Sequence, residues 1–367
     1  MQCLLNLLRG HSVDLCNDQP RWEQALALAE EERILPWVAR LCERQASVAP
    51  DLRNRLNTIQ RDAAITAFFW SSELKAILST FKERNIAVVP LKGPFLADRL
   101  YGETALRVNY DLDLLVPKHD LPQAEAALAA LGFVPDTPDD YHRPWCRART
   151  TVELHHDVEN PLAFNFHTAR VLERAKPAVF QGQPCWQLAP SDELLFLCLH
   201  GVRHRFERLS LILDLCLAFE KLAAPAPQPE AAESSSLLVL GLALARRLQP
   251  EINASLSTHA SPALIDHLDN LADRLWQQLL TQPSEPLDWR ALHSFYLEIE
   301  LPGHRLRRRW RHLQILHTRV IKPDYEFAAR FGCHRRWQVR LLRPLRLLGD
   351  AIRRLAGSAD NISRPPE

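Results

Sequence analysis

The stretch from Ile86 to Val158 constrains the fold more than any other part of the chain. IAVVPLKG is a short apolar run, rich in β-branched residues and closed by Gly93, which predicts a buried strand. PFLADRLYG predicts a short helix, and RVNYDLDLLVP a second strand of alternating character. HDLPQAEAALAALGF reads as an amphipathic helix with a cap around Asp120 and a stop at Gly132. TTVELHHDV reads as a third strand. Strand, helix, strand, helix, strand marks a small α/β unit.

Within that unit, Asp111 and Asp113 lie two apart, so on a strand they share a face while Leu112 and Leu114 turn into the core. Two carboxylates on one face of a buried strand repel each other unless a cation lies between them. Mg²⁺ suits hard oxygen ligands and favours one or two carboxylates together with phosphate oxygens. Glu153, flanked by Val152 and Leu154, is the third candidate carboxylate if its strand lies beside the first. Three carboxylates can hold two metals ~3.5–4 Å apart, the arrangement of in-line phosphoryl or nucleotidyl transfer. Gly93 sits at a strand-to-helix turn where backbone N–H groups can approach phosphate. Lys92 and Arg107 are placed to pair with a triphosphate. By alternation His155 shares a face with Glu153 and is a candidate contact to phosphate or acceptor.

The flanks read as helical. Residues 20–84 repeat apolar positions three and four apart, and residues 1–84 are taken as an N-terminal helical region with no visible function. The α/β core is bounded at 85–190, followed at 191–222 by a helical region, expected to be two helices closing over the cleft. AAPAPQPEAAESSS, 223–236, has linker composition. Residues 237–367 form a C-terminal helical region with a basic tail, where fifteen Arg or Lys face three Asp or Glu between 305 and 354. Leucines recur among those arginines at helical spacing, so a solvated basic helix face explains them as well as a polyanion site does. With a net charge of +1 the whole chain is no obvious polyanion binder, and nucleic acid is not the expected partner except through the basic tail. Eight cysteines fit no zinc motif and read as scattered thiols of a reducing compartment. No apolar run approaches the ~20 residues of a membrane span, and the start lacks a signal-peptide pattern, so a cytoplasmic location is expected. His200 and His204 share a helix face without the Glu of a metalloprotease motif, and Asp214 is expected to pair with an Arg.

The segment VVPLKGPFLADRLYGETALRVNYDLDLLVPKHDLPQAEAALAALGF resembles the uncharacterised nucleotidyltransferase family of the DNA polymerase β-like superfamily. The similarity continues in VELHHD, in LHGVRHRFERLSLILDL and in RWQVRLLRPLRLL, and is most specific over residues 88–158. It implies an α+β fold, a small mixed sheet flanked by N- and C-terminal helices, two Mg²⁺ and a nucleoside triphosphate donor. The glycine-serine turn usual in the superfamily is Lys92-Gly93-Pro94 here, and Gly93 precedes Asp111 by eighteen residues. The reaction implied is transfer of a nucleoside monophosphate, AMP from ATP, to a hydroxyl of a small molecule or peptide. Asp111, Asp113 and Glu153 would be the metal ligands. Phosphoryl transfer to a ribosomally made peptide and a non-catalytic nucleotide-binding module are the alternatives.

Overall fold

The computed structural model describes residues 1–13, 19–45, 48–136, 142–158, 167–222, 235–253, 261–281 and 289–300, together with 310 and 313. The chain forms two compact units, Met1–Pro302 and Gly303–Glu367. In the second, only 310 and 313 are described, so the basic tail lies outside the described residues, as does 223–234 of the linker segment.

Four helices open the first unit: α1 (Gln2–Leu8), α2 (Gln19–Glu31), α3 (Leu35–Glu43) and the 34-residue α4 (Pro50–Glu83). Trp70, Leu74, Ile77, Leu78 and Phe81 recur at helical spacing, and all five are buried. They give α4 one apolar stripe, and that stripe is what the sheet packs against.

The sheet contains β1 (Val89–Pro90), β2 (Leu112–Leu115), β3 (Val134–Pro135), β4 (His142–Arg147) and β5 (Thr150–His155), in the order β1-β2-β5-β4-β3. Only β2 and β5 run parallel; every other pair is antiparallel, so the sheet is mixed. Two helices join its first strands: α5 (Gly93–Tyr101) between β1 and β2, and α6 (Leu121–Ala130) after β2. Leu112, Leu114, Val152 and Leu154 form one sheet face, packed with the α4 stripe and with Ala124, Ala127 and Leu128 of α6. Burying each such leucine contributes about 1.5–3 kcal/mol, which fixes the register and so commits the intervening residues to the opposite face.

Beyond the sheet come α7 (Thr168–Arg174), a hairpin of β6 (Lys176–Phe180) and β7 (Gln183–Gln187), then α8 (Pro190–Arg203), α9 (Leu209–Lys221), α10 (Ser235–Leu248), α11 (Pro262–Thr281) and α12 (Trp289–Glu300). The hairpin anchors to the sheet's first edge through Trp186 N–H donating to Val88 O at 2.8 Å.

The α+β architecture with helices before and after a mixed sheet is the one the sequence implies, but the strands differ. β1 and β2 are only two and four residues long, and Asp111 immediately precedes β2. Two hairpins are additional. β4, HRPWCR, carries Pro and two Arg instead of apolar alternation, and turns into β5 at Ala148 (φ 51°) with no Gly or Asn to announce it. The second turn, Gln181-Gly182, has positive φ at both positions, and its X-Gly pair was a readable signal. Of six described cysteines, all are free and five are buried. Among the described residues, no helix is long and apolar enough to cross a membrane.

Candidate active site

The parallel register sets Asp113 beside Glu153 and Leu115 beside His155. Aligned residues of neighbouring strands point to the same face, so Asp113, Glu153 and His155 converge on the side opposite the α4 stripe. One ligand-type atom from each of the three lies within 4.8 Å of the others. His155 Nε2 is 3.3 Å from Asp113 Oδ1 and 3.4 Å from Glu153 Oε2, the ring donating because carboxylates accept. His142 of β4 stacks on His155 with centroids 4.9 Å apart and planes at 22°, and its Nε2 is 3.7 Å from Glu153 Oε2. Sequence reasoning did not single out His142, because its strand carried no strand signal.

Lys92 Nζ is 3.0 Å from Asp113 Oδ2. That ion pair meets a buried oxygen, and its angles miss strict hydrogen-bond geometry. Burial opposes ionisation of Asp113, but Lys92 and His155 outweigh it and hold the carboxyl well below the usual range. Burial pushes Asp111 the other way, to about 6, and the neighbouring Asp113 charge adds to the rise. For His155, burial favours the neutral ring, but hydrogen bonds to Asp113 and Glu153 outweigh it and raise the pKa. A buried carboxylate balanced by one ammonium, close to two further carboxylates, is a donor set that fits a divalent cation.

Gly93 begins α5 with φ +67°, a conformation that L side chains rarely adopt. A Cβ there would lie 3.4 Å from Leu112 Cδ2 and 3.7 Å from Asp111 O, ordinary contact distances, so the glycine is called for by its backbone conformation at the start of α5.

Arg107, expected beside the triphosphate, is also paired within the protein. Its Nε and Nη2 donate to the two carboxylate oxygens of Asp214 on α9, at 3.0 and 2.9 Å, and its Nη1 donates to Asn109 Oδ1 at 2.8 Å. Tyr101 Oη donates to Asp214 Oδ1 at 2.7 Å. The pairing of Asp214 with an arginine is thus in place, and this buried knot ties α5 and α9 to the approach of β2.

A cleft of about 200 Å³ opens beside these residues. Lys92, Arg107, Asp111 and Glu153 line it from the sheet side, whereas Asp113, His155 and Gly93 are buried and do not line it. Its other wall comes from α8 and the turn that leads to α9: His200, Arg203, His204 and Arg208. Burial, with Lys92 secondarily, holds His200 well below its usual pKa; burial, with Arg203 next, holds His204 at about 4. Both are neutral rings at neutral pH.

The turn between α8 and α9 has positive φ at Arg205 and Phe206, 47° and 52°. It is pinned by the Phe206 ring lying over Gly201, where a Cβ would come within 2.1 Å of the ring. Glu32 Oε2 accepts from Leu209 N–H at the start of α9, 2.6 Å, and Arg208 Nη1 donates to Glu31 O, 2.5 Å. This clasp brings the α2–α3 turn to the cleft, where Arg33 stacks over the Tyr110 ring at 4.5 Å. Arg33 lies in a segment whose periodicity announced only a scaffold, so no local signal marked it.

No curated protein matches this sequence. Two solved structures of ANT(2″)-Ia resemble the chain: a solution structure of this antibiotic-resistance factor and a crystal structure in complex with adenylyl-2″-tobramycin. Each is 17% identical with a TM-score of 0.36, over 46% and 47% of this chain and 88% and 96% of theirs. An antigenic nucleotidyltransferase-like protein from Paracoccidioides brasiliensis is 16% identical over 53% of this chain and 93% of its own, with a TM-score of 0.35. The sequence profile of the uncharacterised nucleotidyltransferases matches residues 18–249, well over half of the chain and the whole of the sheet and cleft just described. The chain belongs to that nucleotidyltransferase family.

Proposed function

We propose that the protein transfers a nucleoside monophosphate, AMP from ATP, to a hydroxyl of a small-molecule or peptide acceptor, with release of pyrophosphate. The observation that carries this reading is the side-by-side register of Asp113 and Glu153, with Asp111 lining the adjoining cleft. Asp111, Asp113 and Glu153 would hold the divalent cations. Judged on carboxylate donors alone these are Mg²⁺, two of them. Such cations neutralise triphosphate charge and polarise the reacting phosphate.

The chain's own residues carry the remaining roles. Glu153 lines the cleft and would accept the acceptor hydroxyl's proton. The acceptor oxygen then bonds to the α-phosphorus, and the bond to the bridging oxygen breaks, its electron pair leaving with pyrophosphate. Arg33, Arg203 and Arg208 surround the cleft with positive charge suited to a triphosphate. Lys92 balances Asp113 and lines the same cleft, so its ammonium is available to phosphate once a cation takes over that balance. Gly93 serves by supplying the left-handed backbone that starts α5 beside the acidic strand. Arg107 acts through Asp214, by fixing the approach of β2. The free cysteines suit a cytoplasmic setting.

Incubation of the full chain with each α-labelled triphosphate, Mg²⁺ and candidate acceptors, read by mass spectrometry, tests the reading. The expected result is an acceptor heavier by one nucleotide, with pyrophosphate released. A gain of one phosphate replaces nucleotidyl by phosphoryl transfer. Triphosphate binding that needs no metal, with no product, points to a non-catalytic module and overturns the proposal.

A further inference from the structure

The geometry points to His155 Nε2 as a direct ligand of the cation held by Asp113 and Glu153, which makes this a mixed nitrogen–oxygen site that prefers Mn²⁺ to Mg²⁺. The inference rests on the metal-dependent reading above. Counting carboxylates alone selects Mg²⁺, but the imidazole changes the donor set. His155 Nε2 stands 3.3 Å from one carboxylate oxygen and 3.4 Å from another. Neighbouring ligands on one ion, each about 2.1 Å from it, are themselves about 3 Å apart. The imidazole nitrogen is therefore near that spacing from each carboxylate oxygen, and all three ligand atoms lie within 4.8 Å of one another.

Strand register gives this placement its rigidity. His155 sits two residues beyond Glu153 on β5, beside Leu115 of β2, and is only 2% exposed. His142 stacks on its ring and limits the ring's rotation. A residue that merely greeted phosphate would need to line the cleft, and His155 does not. With a cation present, the ring serves as the tautomer whose hydrogen is on Nδ1, leaving the Nε2 lone pair facing the carboxylates. Mg²⁺ binds nitrogen poorly, whereas Mn²⁺ accepts both carboxylate oxygen and imidazole nitrogen. Later ions of the first row would bind the same set more tightly still, so the discriminating comparison is Mn²⁺ against Mg²⁺, which share charge and a similar geometry.

The test uses the metal-stripped full chain titrated with MnCl₂ and, separately, MgCl₂. Electron spin echo modulation from ¹⁴N reports directly whether an imidazole nitrogen is bound to Mn²⁺. The expected result is a single imidazole coupling that is lost in His155→Gln and kept in His142→Gln. Calorimetry should show the ratio of Mn²⁺ to Mg²⁺ affinity falling at least about tenfold in His155→Gln. Circular dichroism checks that the variant folds, and His155→Asn repeats the test if the glutamine variant does not. Bound Mn²⁺ without nitrogen coupling in the parent overturns the assignment while leaving the carboxylate site intact. So does coupling that survives His155→Gln or disappears in His142→Gln. Failure of the parent to bind either ion overturns both this inference and the metal-dependent reading beneath it.

Discussion

Arg107 meets Asp214 with a fork of nitrogens, at 3.0 and 2.9 Å, and Tyr101 adds a third donor to the same carboxylate. Lys92 meets Asp113 with one ammonium, at 3.0 Å, and leaves Asp113 Oδ2 without an aligned hydrogen bond. Both pairs are buried, and both flank one cleft. The first is closed: each carboxylate oxygen of Asp214 has a donor, and little remains for a ligand to gain. The second is crowded by like charge, with Asp111 and Glu153 near Asp113. Satisfied buried pairs hold structure, and an under-satisfied one keeps a capacity to bind.

The largest effect that would break this comparison is on transfer. Asp113→Asn keeps shape and removes one charge, so the protein should fold. Transfer should fall on the order of 10³-fold or more, because a cation supplies several kcal/mol of charge stabilisation. Single-turnover kinetics with Mn²⁺ and Mg²⁺ checks this, and parental activity in the variant would remove Asp113 from the site. Asp111→Asn is expected to lose transfer similarly.

Asp214→Ala should act on the fold instead. It strands the Arg107 guanidinium in the interior, which costs about 3–5 kcal/mol. Urea denaturation should report that loss, and Mn²⁺ should not restore it. A variant as stable as the parent would mean the closed pair is not structural.

Lys92→Met separates the two pairs most cleanly. Without cation, Asp113 loses its compensating charge and the metal-free protein should be less stable. At one Mn²⁺ concentration for both proteins, about a hundredfold over the variant's dissociation constant, linkage should return about 2.7 kcal/mol to the variant, and its melting temperature should rise more than that of the parent, which binds the cation more weakly. If removing the ammonium weakens cation binding, Lys92 is not a stand-in for the cation's charge.

Tyr101→Phe is the mildest case. It removes one of three donors from Asp214, and a hydrogen bond to a charged group contributes about 1.5–3 kcal/mol. Stability should fall by the low end of that range, since the arginine fork remains. Transfer by the folded protein should change little.

Much of this was legible in the sequence where the signal is local. The alternation of DLDLL and VEL committed Leu112, Leu114, Val152 and Leu154 to the core, and so their charged neighbours to the other face. The Gly93 turn and the helices of 20–84 were readable for the same reason: glycine backbone freedom and apolar spacing are properties of a few adjacent residues. HRPWCR was not readable as a strand, because its pairing comes from β5 and not from its own pattern.

The sequence by itself determined the kinds of groups on the site face, because strand geometry forces side chains at alternate positions to opposite sides. Only the tertiary structure decided their partners. Parallel register put Glu153 beside Asp113 across forty residues of chain, and the clasp of Glu31 and Glu32 on the start of α9 brought Arg33 to the cleft. Folding also paired Arg107 with Asp214 on the wall of the cleft. A buried charge takes whatever counter-charge the packed chain delivers to it, and that choice is made by long-range contacts which no local pattern records.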